Sequence, residues 1–222
     1  PHCYLNFRSN LTPSTVYTLK GLFNHYSDDL LAFNDRCIFN RITVDRNLVS
    51  MLLGLPDPRN HGSLNPGATN VLRLGSKIGA SLTLLGDVLK STLPILAVKH
   101  WISDDPLLLS CIAIGAFTGH LFPIYFKFSG GKGVATALGI YLALSPVIAL
   151  IQIGTWIACA FAFRYSSLAA IITTILTPLY VWLWIDDNIF LLLTALTALL
   201  LLLRHKKNFQ KLLQRKEPKI NF

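Results

Sequence analysis

Two long stretches without charge constrain this chain more than any other feature. Residues 133–163 contain no Asp, Glu, Lys or Arg, and neither does Asn188–Leu203. A helix needs ~20 apolar residues to cross a bilayer, and uncharged runs of about 18 or more are typical of membrane spans. Charged residues make up 14% of the chain, whereas soluble domains average about a quarter. The sequence therefore predicts an integral membrane protein.

The pattern predicts an all-α, polytopic transmembrane bundle with six spans between residues 78 and 203. Residues 134–163 are too long for one span, and Pro146 divides them into a tight helical hairpin. Asp87 and Lys90 interrupt the first span and share a helix face. The predicted spans are Ile78–Val98, Pro106–Phe126, the two arms of 134–163, Leu168–Ile185 and Ile189–Leu203.

The distribution of charge predicts the orientation. The net charge of +9 is concentrated in connectors on one side of the bilayer and in the C-terminal tail, which is not a pattern that indicates nucleic acid. Because Lys and Arg favour cytoplasmic loops, that side and the C-terminus are expected to be cytoplasmic. By alternation the basic side receives Arg59, Arg73, Lys77, Lys127, Lys132, Arg164 and the tail after Leu203, and the other side receives Asp104, Asp105, Asp186, Asp187 and Lys99.

The first polar loop on the basic side is HGSLNPGATNVLR, from His61 to Arg73. Its side chains offer several hydrogen bonds to an anion, and Arg73 can clamp a phosphate with two parallel bonds. Loops of this composition are also ordinary turns with a solvated Arg. The candidate phosphate-binding residues here are Ser63, Asn65, Gly67, Thr69, Asn70 and Arg73.

The second loop is FSGGKGVAT, from Phe128 to Thr136. Glycines just before a helix present free N–H groups at its positive end, and Lys132 adds a full charge there. The Walker spacing is absent, so this is not a nucleotide P-loop. A flexible hinge with a snorkelling lysine is the alternative. The candidate residues are Gly130, Gly131, Lys132 and Gly133.

The third loop, RHKKNF, begins at Arg204 at the end of the last span. Arg204, His205 and Asn208 are candidates to close a site from this side, although basic residues after a final span are often membrane anchors. Asp87 and Lys90 are either a structural ion pair or part of a substrate site. His120 is either a base or a hydrogen-bonded structural histidine. No Cys or His spacing suits a metal.

Together these loops resemble the PlsY family of acyl-phosphate:glycerol-3-phosphate acyltransferases, from about Leu48 to Ile220. The strings that carry the resemblance are GSLNPGATNVLR, GHLFPIYFKFSGGKGVAT and RHKKNFQKLLQRKEPKI, with LPDPR and RYSS as smaller matches. It implies a seven-span bacterial inner-membrane enzyme that moves a fatty acyl group from acyl phosphate to the 1-hydroxyl of glycerol 3-phosphate. The products are lysophosphatidic acid and phosphate.

With this resemblance, the predicted catalytic residues are Ser63, Arg73, Lys132, His205 and Asn208, and the secondary ones are Asp87, Lys90, His120 and Glu217. Acyl phosphate is an activated donor, so no enzyme nucleophile and no cofactor are expected. Lys132 with nearby N–H groups is predicted to stabilise the oxyanion. An enzyme that supplies acyl phosphate is the expected upstream partner. A transporter or channel for a phosphate-bearing anion is the alternative function.

Two positions depart from the resemblance, because Leu64 and Ser91 stand where the family usually has glycine. Leu64 is expected to narrow the approach of a phosphate to the first loop.

Residues 1–47 are polar where the family has its first span. Read one nucleotide downstream, codons for CIFNRITV at Cys37–Val44 can encode AYLIGSLS, an apolar string like that span. We hypothesise that 1–47 is out-of-frame translation; a divergent N-terminus is the alternative. A downstream frame dense in stop codons would exclude the hypothesis. Residues 48–222 are expected to form a single acyltransferase domain.

Overall fold

The computed structural model describes residues 46–123 and 130–220, and within these ranges the regular structure is helical. The described residues belong to one compact unit, Thr43–Phe222. The hypothesis about residues 1–47 falls almost wholly outside the described ranges and stays a prediction. The helices are α1 Arg46–Leu52, α2 Ala68–Arg73, α3 Lys77–Trp101, α4 Pro106–Leu121, α5 Val134–Leu144, α6 Pro146–Phe163, α7 Ser166–Trp184, α8 Asn188–Arg204 and α9 Lys206–Leu213.

Capping residues explain where several helices begin. The Asp105 carboxylate accepts a hydrogen bond from the Leu108 N–H, and Pro106 occupies the first turn of α4. The Asp187 carboxylate accepts from the N–H groups of Ile189 and Phe190 at the start of α8. Carboxylates stabilise helix N-termini because they satisfy N–H groups that lack an intrahelical partner. The acidic connectors of the sequence are therefore also the caps of these two helices.

The described helices match the predicted apolar segments, with differences in length. Three of them, α3, α6 and α7, are long and apolar enough to cross a membrane, and a fourth crossing results if α8 and α9 count as one bent span. Two further apolar helices, α4 and α5, are shorter. Helix α4 ends at Leu121, earlier than the predicted end at Phe126, and residues 124–129 lie outside the described ranges.

The chain reverses between α5 and α6, as Pro146 predicts. The carbonyl groups of Gly130 and Gly131, just before α5, accept hydrogen bonds from Arg204. At the far end of α6 the Arg164 carbonyl accepts from the Ile220 N–H at 2.7 Å. The start of α5 therefore meets the end of α8, and the end of α6 meets the segment after α9, so both ends of the pair lie on the side of the last loop, which confirms the helical hairpin.

Hydrogen bonds from two hydroxyl groups of α3 to backbone carbonyls of α5 join these helices. Ser91 donates to the Thr136 carbonyl at 2.7 Å, and Thr92 donates to the Gly139 carbonyl at 2.9 Å. Ser91, which departs from the family's glycine, thus adds a buried hydrogen bond between the helices. These contacts fix the position of α5, and with it the Gly-rich segment that precedes it.

Candidate active site

The three polar loops open into one cavity of about 730 Å³. It extends from the basic loops into the space between α3, α5, α6, α7 and α8. The predicted residues that line it are Ser63, Asn65, Gly67, Thr69, Asn70, Arg73, Asp87, His120, Gly131, Lys132, Gly133, His205, Asn208 and Glu217. Gly130 and Lys90 do not line it. The structure therefore brings residues from all three loops together, as a shared site requires, while their chemical roles stay predictions.

Asn70 holds the first loop in shape. Its side-chain oxygen accepts from the Ser63 N–H at 2.8 Å, and its side-chain nitrogen donates to the carbonyls of Pro58 and His61 at 2.8 and 2.9 Å. The side chain is almost fully buried. Its polar atoms are thus engaged with loop backbone, and this fold presents Ser63 and Asn65 to the cavity.

Leu64 does not narrow the cavity, contrary to the expectation from its size. Its side chain is exposed and is not among the lining residues. The backbone reaches this arrangement with φ of 59°, in the left-handed region that costs a residue with a Cβ about 1–2 kcal/mol. Leucine in place of glycine at this position therefore strains the backbone but does not obstruct the cavity.

Arg73 and Thr69 reach the far side of the cavity mouth. An Arg73 guanidinium nitrogen lies 3.4 Å from the Pro218 carbonyl, to which it donates. The hydroxyls of Thr69 and Ser166 lie 3.4 Å apart. The first loop thus meets both the start of α7 and the C-terminal segment at the cavity mouth.

Gly133 has to be glycine for two reasons. Its φ is +92°, a left-handed conformation that side chains disfavour. A Cβ there would also lie 2.7 Å from the Phe117 ring and 2.8 Å from a Leu121 methyl. The tight turn places Lys132 and the first N–H groups of α5 at the cavity wall.

Arg204 fixes the carbonyl side of the same segment. Its guanidinium donates to the Gly130 carbonyl at 2.7 Å and to the Gly131 carbonyl at 3.2 Å, and it also lies over the Phe122 ring. These bonds hold the backbone at Gly130, which does not line the cavity. The sequence grouped Arg204 with the third loop but did not predict that it holds the second.

Lys132 is half-buried at the cavity wall. Its pKa is lowered to about 8, chiefly by burial; Glu217 opposes the shift, and Arg73, Lys211 and Arg204 add to it. A partly buried cation with other cations nearby is stabilised by an incoming anion. The surroundings of Lys132 thus favour a phosphate or another anionic group in the cavity.

His205 is held as a neutral ring. Burial is the main cause that lowers its pKa to about 4, and Lys132 adds to the effect. The Nδ1 atom lies 2.8 Å from the Leu201 carbonyl, which can only accept, so Nδ1 carries the proton. Nε2 is then the acceptor atom of the ring.

Glu217 connects the C-terminal segment to the third loop and to α7. Its Oε1 accepts from the Ser167 hydroxyl at 2.7 Å and from the Asn208 side chain at 2.8 Å. Oε2 is buried without a hydrogen-bond partner among the described residues. The carboxylate therefore holds Asn208 in place and faces the cavity that Lys132 also lines.

Asp87, Lys90 and His120 form one network within the helices. Asp87 pairs with Lys90, as their spacing predicts, and His120 Nδ1 lies 3.6 Å from the Asp87 carboxylate. His120 Nδ1 also lies 2.8 Å from the Thr136 hydroxyl on α5. These contacts agree with a structural role for the Asp87–Lys90 ion pair and for His120. Asp87 and His120 also line the cavity.

The sequence reasoning missed a set of polar residues inside the apolar helices. They contribute to the deeper wall of the cavity, and the available signal was a Gln or repeated Thr in segments that are otherwise apolar. The main ones are Tyr141, Gln152, Thr173, Thr174, Thr177 and Thr197. Ser166 and Ser167, at the start of α7, line the cavity near its mouth and were missed as well. In the described ranges no group of three or more His, Cys, Asp or Glu is arranged to hold a metal ion.

Comparison with known proteins gives consistent matches. A family model described as glycerol-3-phosphate acyltransferase matches residues 47–215. A glycerol-3-phosphate acyltransferase of Methylococcus capsulatus is 49% identical over 173 residues, which cover 78% of this chain and 87% of that protein. One of Thiobacillus denitrificans is 50% identical over 177 residues, which cover 78% and 88%.

Two crystal structures have a similar fold. Both are of PlsY, an integral membrane glycerol 3-phosphate acyltransferase. The glycerol 3-phosphate form has a TM-score of 0.78 and 35% identity over 86% of this chain and 95% of that one. The lysophosphatidic acid form has a TM-score of 0.74 and 33% identity over 82% and 91%.

Proposed function

The chain belongs to the glycerol-3-phosphate acyltransferase family of integral membrane enzymes, and on this premise we propose that it acylates glycerol 3-phosphate with acyl phosphate as the donor. The fatty acyl group passes to the 1-hydroxyl, and the products are lysophosphatidic acid and phosphate. Family membership also favours this function over the transporter or channel.

The observation that carries the proposal is one cavity bordered by two separate groups of anion-binding residues. One group is Arg73 with residues of the Ser63–Thr69 segment, and the other is Lys132 with the start of α5; both line the cavity. The reaction brings together two phosphate-bearing molecules, so it needs two such places within reach of each other. The lowered pKa of Lys132 supports their proximity, since Arg73 contributes to it.

The geometry supports a direct transfer. In the proposed arrangement the first loop holds glycerol 3-phosphate, and the Gly130–Gly133 segment holds the phosphate of the donor. The glycerol hydroxyl attacks the acyl carbonyl, the bond to phosphate breaks, and Lys132 with adjacent N–H groups stabilises the oxyanion. His205 Nε2 accepts a hydrogen bond from a glycerol hydroxyl, and substrate phosphate takes the proton.

The remaining parts of the proposal concern the setting of the enzyme. The chain is a multi-pass membrane protein, and we place it in the bacterial inner membrane with the basic loops and the C-terminus in the cytoplasm. A cytoplasmic cavity mouth gives glycerol 3-phosphate access from the aqueous side. The acyl phosphate comes from an upstream enzyme that makes this donor.

The test is an assay of the purified full chain in lipid nanodiscs. Palmitoyl phosphate and glycerol 3-phosphate should give lysophosphatidic acid and phosphate in equal amounts, measured by mass spectrometry. Lys132→Ala should lower kcat at least roughly 100-fold, because removal of one oxyanion donor has effects of that order. Lys207→Ala, an exposed basic residue of α9, is the matched control. Absence of product from the unaltered chain, or near-normal turnover by Lys132→Ala, would contradict the proposal.

A further inference from the structure

The deeper half of the cavity contains polar atoms that the proposed reaction does not use. Gln152 on α6 and Thr173 on α7 expose only 7% and 8% of their surface, and both line the cavity. The side-chain oxygen of Gln152 and the hydroxyl of Thr173 have no hydrogen-bond partner among the residues that the structure describes. Buried polar atoms without partners are rare in folded proteins, so this pair calls for a ligand group.

The hydrogen bonds around Thr177 fix which end of the Gln152 amide is free. Thr177 donates its hydroxyl proton to the Thr173 carbonyl at 2.7 Å, so its oxygen can only accept from Gln152. The Gln152 nitrogen makes that bond at 2.9 Å. The amide oxygen is therefore the unpartnered atom, and it is an acceptor without a donor of its own.

The depth of the pair identifies the part of the substrate that reaches it. Ser167 is at the level of Glu217, near the phosphate-binding residues. Thr173 and Thr177 lie six and ten residues farther along α7, or about 9 and 15 Å along the helix axis. A three-carbon glycerol phosphate held at the level of Ser167 ends short of Thr173 and of Gln152, which bonds to Thr177. A fatty acyl chain reaches it.

The neighbouring wall is suited to such a chain. Leu84, Leu138, Ile153, Trp156 and Ile157 line the same cavity and provide apolar surface. The two unpartnered polar atoms thus lie beside a large apolar surface, while the hydroxyl of the neighbouring Thr177 is already engaged with Gln152 and the Thr173 carbonyl. A chain of methylene groups leaves both unpaired, whereas a hydroxyl group has a proton to donate to an amide oxygen and lone pairs to accept from a threonine hydroxyl.

We propose that Gln152 and Thr173 form a polar subsite that binds a hydroxyl group carried part-way along the fatty acyl chain of the donor. The inference rests on the proposed function, because it assigns the deep cavity to the acyl group. It identifies mid-chain hydroxylated acyl phosphates as a preferred substrate class. The two residues determine specificity and take no part in the transfer itself.

The experiment compares octadecanoyl phosphate with a series of hydroxyoctadecanoyl phosphates that differ in the position of the hydroxyl. For each protein preparation, kcat/KM for the hydroxylated donor is divided by kcat/KM for the plain donor. This ratio does not depend on the fraction of folded protein. One mid-chain position should be favoured by at least roughly tenfold, because a site built to bind a hydroxyl discriminates against a chain that lacks it. Gln152→Leu and Thr173→Val should each bring the ratio close to one.

The matched control is Thr155→Val on the same helix. Its hydroxyl already contacts the Ile151 carbonyl and the Tyr180 hydroxyl and does not line the cavity, so the preference should survive. Equal use of plain and hydroxylated donors by the unaltered chain would overturn the inference and leave the proposed function intact. A preference that persists in both Gln152→Leu and Thr173→Val would overturn it as well. Absence of transfer from every acyl phosphate would refute the proposed function itself.

Discussion

Lys132 shows at the scale of one residue how burial prepares a group for an anion. Its pKa is lowered to about 8, first by burial and then by Arg73, Lys211 and Arg204. The ammonium group is therefore charged at neutral pH but close to the point at which it loses its proton. His205 beside it has its pKa lowered to about 4 and stays neutral over the same range.

The titration of Lys132 should be visible in the pH dependence of the free enzyme. The charged form is the one that binds the donor phosphate, so kcat/KM should fall about tenfold per pH unit above pH 8. Lys132→Arg keeps its charge at high pH, and its profile should stay flat to about pH 10 even if its activity is lower. Initial rates, corrected for the spontaneous hydrolysis of acyl phosphate, provide the measurement. If kcat/KM falls in the same way in the unaltered enzyme and in Lys132→Arg, the pH dependence belongs to another titrating group.

At the scale of elements, the Gly-rich segment before α5 depends on the end of α8. Arg204 donates to two successive carbonyls of that segment, and Gly133 turns tightly against Phe117 and Leu121 on α4. Three helices thus determine where Lys132 lies. The site is positioned by packing between elements and not by the loop sequence alone.

Arg204→Gln should therefore impair the second loop from a distance. Hydrogen bonds to charged groups contribute about 1.5–3 kcal/mol each, so kcat/KM for acyl phosphate should fall roughly 10–100-fold. The thermal midpoint should change far less, since the helices keep their apolar contacts. Lys206→Gln, which removes an exposed charge two positions away, should leave kcat/KM within about twofold. Equal effects of the two substitutions would show that net charge, and not loop position, matters.

How far the sequence predicted the elements depends on the kind of signal. Pro146 in an uncharged run was sufficient for the hairpin, because proline ends a helix through its own geometry. The preference of Lys and Arg for cytoplasmic loops predicted that the loops with Arg73, Lys132 and His205 lie on one face of the membrane. All three residues line the cavity. The inward faces of α6 and α7 were not predictable, because a helix that is apolar all round has no periodic pattern to show which side is buried. Gln152 and Thr173 could have been found only from their polar residue type within an apolar segment, and that sign was not used.

The position of the C-terminal segment was also beyond the sequence. Glu217 was assigned a secondary role only through the family resemblance. Its contact with Ser167 joins residues 50 positions apart in the chain, and a single sequence carries no signal for such a pairing. Asn70 is a similar case, because an Asn side chain can either bind a phosphate or support a loop. In the structure its polar atoms bond to the backbone of the first loop.

At the scale of the whole molecule, the proposed orientation makes the two faces chemically distinct. The four native cysteines are first replaced by serine, and Asp104→Cys or Lys207→Cys is then introduced; both positions are exposed. A membrane-impermeant maleimide applied to spheroplasts should label the cysteine at position 104. It should label position 207 only after permeabilisation. The reverse pattern would place the cavity mouth outside the cell and contradict the proposed location.

The segment after α9 contacts residues of the first loop and of the connection between α6 and α7. The Pro218 carbonyl accepts from Arg73, the Ile220 carbonyl lies 3.3 Å from an Arg164 guanidinium nitrogen, and Lys219 lies over the Tyr165 ring. Translation produces this segment after every helix that it contacts. A nascent chain that ends at Lys216 would already contain α1 to α9 but would lack Glu217 in the cavity wall. Premature termination at that point should yield a membrane-inserted protein without a finished active site.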